Sequence, residues 1–302
     1  MVRKEFPNLK TQAYQHPFDR KALMALERTP VLPKLLKKVN EYGIDRLLRM
    51  QTMGTEFKVT PNNFPRLENA FVETCNILDI APIPDLYLFT AMGSIKTYAM
   101  GVEKPVVGIN VEGMEWLSDD ELLFIFGHQV SRIQGNYLRY QQIATVIPLL
   151  KNLIASTTLG LGGLAANGVE IALYNWITMA KFTGDRAGLL ACQDIDVAIR
   201  ALMKWGGLPN SYLNQNTIDD FMIQARKFEA NYLGGLDGLT KTFSFMEHQL
   251  SWTVMRASEL LKWVDSGEYE NLLSGQNIEN KQIETEESDD DEEWDFLNVW
   301  DE

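Results

Sequence analysis

Three residues in the run FIFGHQVSRIQGNYLRY, residues 124–140, have the spacing of a zinc-binding motif but the wrong chemistry for it. In H-E-x-x-H, two histidines four residues apart share a helical face and direct lone pairs at one ion. Here His128 holds the first position, while Gln129 and Arg132 hold those of the glutamate and the second histidine. An amide cannot take up and return a proton near neutral pH, and a guanidinium offers donors only. The run is therefore either an altered metal site or an apolar helix that contains one histidine.

The element that carries these residues is predicted to be a deeply buried helix. Ser118, with Glu121 three residues later, has the spacing of a capping box that starts a helix. The run Leu122–Phe126 is apolar on nearly every side, which indicates a core position. A second long helix is predicted over residues 169–204, in the stretch that contains AKFTGDRAGLLACQD.

The remaining pattern predicts an α+β fold that is mostly helical. Leucines at three- and four-residue spacings predict helices through the first 80 residues, with an Asn62 or Asn63 cap before one of them. Short β-rich runs near residues 85–90, 95–100 and 105–110 predict a small sheet. Further helices are predicted to about Val264, and from Ile278 onward the polar, acidic composition is typical of disorder.

Charge is distributed unevenly along the 302 residues. Of the net charge of −13, residues 279–302 carry −11, so residues 1–278 are close to neutral. We therefore expect one domain over 1–278 followed by an acidic tail over 279–302. Acidity of this kind argues against nucleic acid as a partner.

Two further features bear on location. Only Cys75 and Cys192 are present, too few for a disulfide framework and too far apart for a C-x-x-C motif. The N-terminal residues have no apolar signal-peptide core, so a cytoplasmic location is expected. Residues 152–169 lack charge, but their glycines favour a buried or mobile hairpin; contact with a membrane is the weaker alternative.

At ELLFIFGHQVSRIQG and, some fifty residues later, AKFTGDRAGLLACQD, the chain resembles the HtpX and CAAX prenyl protease family of zinc metallopeptidases, in its soluble prokaryotic form. GVEKPVVGIN, SDDELLFIFGH and VMRASELLKWVDSGEYE are further similar stretches, and the resemblance covers roughly residues 17–273. It implies a zincin-like fold with a small β-sheet and two central helices. It also implies a zinc site in which G-H-E-x-x-H on one helix is completed by a glutamate on the other.

Matched to that pattern, the chain keeps one zinc ligand. His128 is the first ligand, Gln129 stands at the general base, and Arg132 stands at the second ligand. Lys181 occupies the position of the glutamate ligand, four residues before a retained Asp185. Near the C-terminus, alignment on Arg256 puts Leu250 and Ser251 where the family has a His-Pro pair, and His248 is two residues off. We expect no catalytic residue, no metal site and no bound zinc.

Two of the residues at ligand positions carry a positive charge, which suggests what takes the place of the metal. We expect Arg132 and Lys181 to supply the positive charge of the ion and to pair with Asp185, forming an interhelical charge cluster. A buried charge is tolerated only when it is paired. The alternatives are a leftover core histidine at 128, a zinc site that recruits distant residues such as His248, Cys192 or Asp185, and a simple helix ion pair at Asp185 and Arg186.

Two segments are candidates for binding a partner. Lys96, Thr97, Tyr98 and Ala99 align with the strand on which, in related enzymes, an extended substrate adds through main-chain hydrogen bonds, a mode that does not need the metal. An ordinary edge strand covered by a loop is the alternative. Trp294, Leu297 and Trp300 recur every three residues behind an acidic run, the pattern of a docking motif; a solvating tail, or one that folds back on its own cleft, is the alternative.

The sequence therefore predicts a catalytically inactive metallopeptidase homologue, a pseudopeptidase, that binds a protein or peptide partner through the old cleft or the tail. The first alternative is an active zinc-dependent endopeptidase with non-standard ligands. The second is a structural or assembly protein attached through the acidic aromatic tail.

Overall fold

A computed structural model of the chain describes the backbone of residues 3–156, 163–228 and 252–275 and, within these ranges, the side chains outside 148–168. The predicted docking residues Trp294, Leu297 and Trp300, and the side chains of the predicted hairpin up to residue 168, lie outside the described residues. In the described part of the chain, no helix combines the length and the apolar character needed to cross a bilayer.

The described fold is α+β and mostly helical, as the sequence predicts. The helices are α1 Pro17–Glu27, α2 Leu32–Glu41, α3 Ile44–Thr55, α4 Pro65–Ile77, α5 Val111–Trp116, α6 Asp119–Gln134, α7 Leu138–Ser156, α8 Gly163–Cys192, α9 Ile195–Trp205, α10 Gln215–Phe228, α11 Thr253–Asp265 and α12 Glu268–Ser274. Two short 3₁₀ turns lie at Thr11–Ala13 and Asn210–Tyr212.

A four-stranded sheet lies among these helices in the order β1-β2-β4-β3. Its strands are β1 Phe57–Lys58, β2 Asp85–Phe89, β3 Thr97–Met100 and β4 Val106–Asn110. β4 runs parallel to β2 and antiparallel to β3, so it is central, and all five of its residues are buried. β3 is therefore an edge strand. The three predicted strands are confirmed to within two residues, and the two-residue strand β1 was not predicted.

Helices α6 and α8 form the packed centre of the molecule, and three glycines let their backbones approach. A Cβ on Gly127 would lie 2.8 Å from the carbonyl oxygen of Ala187, and one on Gly188 would lie 2.6 Å from that of Phe124. A Cβ on Gly184 would lie 2.5 Å from Nδ1 of His128. The predicted capping box opens α6, with Ser118 and Glu121 bonded reciprocally, and α6 is buried from Glu121 to Arg132.

Two predicted boundaries are wrong for local reasons. The helix predicted over 169–204 is interrupted after Cys192, because Gln193 has φ 55° and Asp194 then caps α9 by accepting bonds from the amides of Asp196 and Val197. Neither Asn62 nor Asn63 caps α4. Its N-cap is Phe64, while the Asn63 side chain accepts a bond from the Thr60 amide 2.7 Å away.

Candidate functional site

His128 is held by a carboxylate on the neighbouring helix. Nδ1 of His128, on α6, lies 3.0 Å from Oδ1 of Asp185, on α8, and both residues are almost fully buried. An ionised carboxylate only accepts hydrogen bonds, so Nδ1 carries the imidazole proton. Burial lowers the pKa of His128 to about 4, although Asp185 opposes the shift, so the ring is neutral at physiological pH. Its remaining lone pair is on Nε2.

That lone pair faces the guanidinium of Arg132. Nη2 of Arg132 lies 3.4 Å from Nε2 of His128, and Nη1 donates to Oε1 of Gln141 at 3.2 Å. One turn of α6 separates the two residues, which is why they meet. A positively charged donor thus occupies the position towards which a metal-binding imidazole would direct its electrons.

Asp185 is paired with Arg256 of α11, which corrects the predicted pairing with Arg132. Nε and Nη2 of Arg256 donate to the two oxygens of Asp185 at 2.9 and 2.6 Å, a bidentate geometry. Burial opposes ionisation of Asp185, but the charge and hydrogen bonds of Arg256 outweigh it and hold the pKa below its ordinary value. Within the described residues, Asp185 forms an ion pair with Arg256 and a hydrogen bond with the neutral His128, and none with Arg132.

Lys181 and Arg132 lie within electrostatic reach of this pair, so the predicted residues do come together. Burial, then repulsion from Arg256 and Arg132, lowers the pKa of Lys181 to about 8, while Asp185 opposes the shift. Burial and repulsion from Arg256 likewise lower the pKa of Arg132 to about 10. Arg132, Lys181 and Asp185 thus lie close enough to shift one another's pKa, and the bidentate bridge to the carboxylate comes from Arg256 on a third helix, α11.

A tryptophan at the end of α9 covers the cluster. The ring of Trp205 makes an edge contact with His128, with centroids 4.9 Å apart. The guanidinium of Arg256 lies over the same ring, 4.5 Å from its centroid. An aromatic face stabilises a desolvated cation, so Trp205 lowers the cost of burying Arg256. Sequence reasoning missed Trp205, because no spacing rule links it to α6.

A second buried carboxylate, Asp19, was also missed. It accepts hydrogen bonds from the side chains of Tyr137, Trp176 and Thr183 at 2.7, 3.0 and 2.6 Å. It lies in the first turn of α1 and offsets part of the charge of Arg132. Its signal in the sequence is that of an ordinary first-turn acid, so only the packing of α1 on α8 shows its role.

Gln129 joins the site to the edge strand. Its Nε2 donates to Oγ1 of Thr97 on β3. The carbonyl oxygen of Lys96 accepts a hydrogen bond from the backbone amide of Asn110. Along β3, the residue pairs that face each other then alternate between non-hydrogen-bonded and hydrogen-bonded. Hence the backbone groups of Tyr98 point towards β4, and those of Thr97 and Ala99 point to the outer side of β3, where Thr97 is half-buried and Ala99 is 1% exposed. No backbone group in the described parts of the chain pairs with that side. The predicted edge strand thus lies directly against Gln129, at the position that the resemblance assigns to a general base.

The donor set does not fit a zinc ion. Zinc sites in proteins use three or four ligands from cysteine, histidine or carboxylate side chains. No group of three or more such residues within the described ranges could hold a metal. Cys192 and Asp185 are not brought into one ligand set with His128, and His248 lies outside the described residues.

Comparison with known proteins finds a relative named as a metallopeptidase. The chain is 28% identical over 273 residues to plastoglobule-localized metallopeptidase 48, chloroplastic, of Arabidopsis thaliana, a match that covers 90% of this chain and 78% of the relative. No family model matches the chain. No solved structure matches it. The match supports a metallopeptidase-like family for this chain and leaves its chemistry to be argued from the site.

Proposed function

We propose that this chain is a metallopeptidase homologue without hydrolytic activity, and that it binds an extended peptide along the outer side of β3. The relative supports the metallopeptidase-like part of this proposal. One observation carries the loss of activity: the only lone pair that His128 has left faces the guanidinium of Arg132 at 3.4 Å. A permanent cation in that position excludes a metal ion both by sterics and by repulsion.

The chain also lacks a group that could act as the base. Gln129 has a carboxamide where a carboxylate would take the proton of a metal-bound water. Its amide is engaged in a hydrogen bond to Thr97. Hydrolysis at this site would therefore lack both the activated water and the base that deprotonates it. A zinc-free, inactive protein is what this donor set supports.

Peptide binding does not depend on those lost groups. An extended segment adds to a sheet edge through main-chain hydrogen bonds, and alternate side chains supply selectivity. Thr97 and Ala99 direct one amide and one carbonyl each to the outer side of β3, as the register indicates. Ala99 is almost fully buried, so the half-buried Thr97 is the point of access for a peptide. Zinc loss therefore separates binding from cleavage, and the chain keeps the binding half.

The first experiment separates this proposal from an active zinc endopeptidase with unusual ligands. The full chain is purified, dialysed and analysed for zinc, and its cleavage of casein is measured with and without a chelator. We expect substoichiometric zinc and no cleavage. Tightly held zinc at one ion per chain, with cleavage that the chelator abolishes, would establish the active enzyme instead.

A reconstructed site gives the positive control. The triple change Gln129→Glu, Arg132→His and Lys181→Glu restores the ligand types of the zinc motif on α6 and α8. We expect it to bind one zinc ion per chain, because His128 remains oriented by Asp185. If it stays metal-free while folded, the geometric equivalence of α6 and α8 to the zinc helices is wrong.

The second experiment tests the edge. Thr97→Pro removes the outward amide of a half-buried residue without removing a β3–β4 hydrogen bond, and Thr97→Val keeps that amide while losing the same hydroxyl. With fluorescently labelled unfolded casein as the probe, we expect at least a tenfold weaker affinity for Thr97→Pro than for Thr97→Val. Equal affinities for both folded variants would contradict binding at this edge.

A further inference from the structure

Helix α3 exposes an apolar surface on the side that faces away from the fold. Leu47, Met50 and Met53 are 52%, 65% and 63% exposed, and Phe57, in the strand that follows, is 62% exposed. We call these four residues the α3 face. Thr52 is the only buried residue of the helix. At about 100° per residue, Thr52 lies roughly opposite Met50 on the helix, so the α3 face points outward.

Such a surface is unusual on a monomer. Single exposed apolar residues are common, but a contiguous row beside polar residues marks an interaction site. Methionines adapt their shape to different partners and recur at surfaces that bind aromatic groups. The α3 face therefore fits an occupant that carries large apolar side chains.

The charge around the α3 face selects an acidic occupant. Residues 34–58 carry six basic and three acidic side chains, a net charge of +3, whereas residues 1–278 together carry −2. This segment is thus one of the basic stretches of a body whose net charge is slightly negative. Exposed Arg46 lies near the start of the α3 face in sequence, and exposed Lys58, at its end, is paired with Asp85 at 2.8 Å.

The C-terminal segment of the same chain has the complementary composition. Residues 289–302, DDDEEWDFLNVWDE, carry eight acidic side chains and no basic one. Trp294, Leu297 and Trp300 repeat at three-residue intervals, as do Leu47, Met50 and Met53. That interval places side chains on one side of a helix. Both the sign of the charge and the spacing of the apolar groups therefore match.

The C-terminal segment is long enough to reach the α3 face. Eighteen residues, 276–293, separate Trp294 from Gly275, the last described residue, and that length spans up to about 60 Å when extended. A compact body of this size has a diameter of about 50 Å. A tethered ligand also acts at an effective concentration of order mM, so even a weak contact is populated.

We propose that residues 289–302 dock on the α3 face of the same chain, with the acidic run beside Arg46 and the tryptophans on the methionines. The hydroxyl of Tyr98, on β3, is hydrogen-bonded to Glu56 and lies 3.4 Å from Oγ1 of Thr52, so β3 meets α3 on the side opposite the α3 face. The docked segment therefore lies on the other side of α3 from β3. Docking in cis does not depend on the loss of catalysis or on peptide binding.

Site-specific photo-cross-linking of the full chain tests the proposal. Met50 is replaced by p-benzoylphenylalanine, and a control chain carries the same group at Tyr212, which is 64% exposed. We expect cross-links from position 50 to residues 289–302 within one chain, and none from position 212. The yield is expected to fall in 0.5 M salt, because the screening length drops to a few ångström, about 4 Å.

Matched variants of residues 289–302 test whether the apolar side chains of this segment are required for docking. Trp294→Ser, Leu297→Ser and Trp300→Ser together are expected to reduce the cross-link at least tenfold, and Asn298→Ser in the same segment is expected to leave it unchanged. Equal yields from positions 50 and 212, or an unaffected triple variant, would overturn the proposal. Cross-linked dimers that increase with protein concentration would assign the α3 face to the tail of a second copy. If the chain floats with anionic phosphatidylserine vesicles in a way that requires Met50, and no cross-link to the tail forms, the α3 face binds lipid. Both the dimer result and the lipid result would overturn docking in cis.

Discussion

Asp185 holds His128 by a 3.0 Å contact between Oδ1 and Nδ1, and this contact joins the two central helices. A carboxylate that orients the imidazole of a metal ligand is a common feature of zinc sites. Here the carboxylate orients the ring in the same way, but Nε2 of the oriented ring faces Arg132. The arrangement thus has the support of a metal ligand with a guanidinium at the position of the ion.

Asp185→Asn is expected to destabilise the protein. The change leaves the buried guanidinium of Arg256 without its bidentate carboxylate, and loss of one partner of a buried ion pair costs about 3 to 5 kcal/mol. The measurement is urea unfolding followed by circular dichroism. Asp220→Asn, at an exposed position, is the control and should leave the midpoint unchanged. A midpoint shift no larger than that of the control would refute the structural role of Asp185.

Arg256→Met and Arg132→Met are expected to differ. Arg256 makes two charge-assisted bonds to Asp185, so its loss should cost about 3 to 5 kcal/mol. Arg132 is buried beside two other cations, and its Nε has no hydrogen-bond partner. Replacing a poorly compensated buried charge by an apolar side chain of similar volume is often neutral or stabilising, by about 1 to 4 kcal/mol.

The comparison uses the same unfolding assay on both single variants and on the double variant. A large loss of stability for Arg132→Met and a small loss for Arg256→Met would support the pairing of Arg132 with Asp185 that the sequence predicted.

Stability is expected to fall between pH 6.5 and pH 4 because of His128. Its pKa is lowered from 6.5 to about 4 in the folded chain, so in this window the unfolded chain binds a proton that the folded chain does not. The free energy of unfolding then rises with pH, by up to about 3 kcal/mol across the window. The stabilisation is complete above pH 6.5 and is lost as the pH falls.

Burial also lowers the pKa of His16, so the wild-type protein alone would report on both histidines. The difference in unfolding free energy between wild type and His128→Gln isolates the contribution of His128. Unfolding free energies measured at half-unit steps from pH 4 to pH 7.5 should converge towards pH 4. Parallel curves for the two proteins would mean that His128 titrates normally.

Gly184→Ala is expected to destabilise the contact of α8 with α6. The new methyl group would lie 2.5 Å from Nδ1 of His128 and would displace the ring from Asp185. Overpacking of this kind costs about 1 to 3 kcal/mol. Gly54→Ala in α3 is the control, because its Cβ meets no atom within 4 Å and helix propensity favours alanine by about 1 kcal/mol. Equal thermal midpoints for the two variants would contradict the close approach.

The sequence by itself determined the elements and the chemistry that is missing. Local rules placed the capping box at Ser118, the three short strands and the mostly helical class, because these depend on neighbours in the chain. The side-chain types at Gln129, Arg132 and Lys181 predict that the usual zinc ligand set does not form there, since donors and acceptors are properties of the residues alone.

Tertiary structure decided which charges pair. The sequence predicted that Arg132 would meet Asp185, but Arg256, 71 residues further along the chain, takes that position. Asp19 and Trp205 join the site from α1 and α9 in the same way. The exposure of the α3 face was equally hidden, because its apolar spacing is also that of a helix packed on a core. Pairing and burial depend on contacts between residues far apart in the chain, and no local pattern records which of several available partners a buried charge will meet.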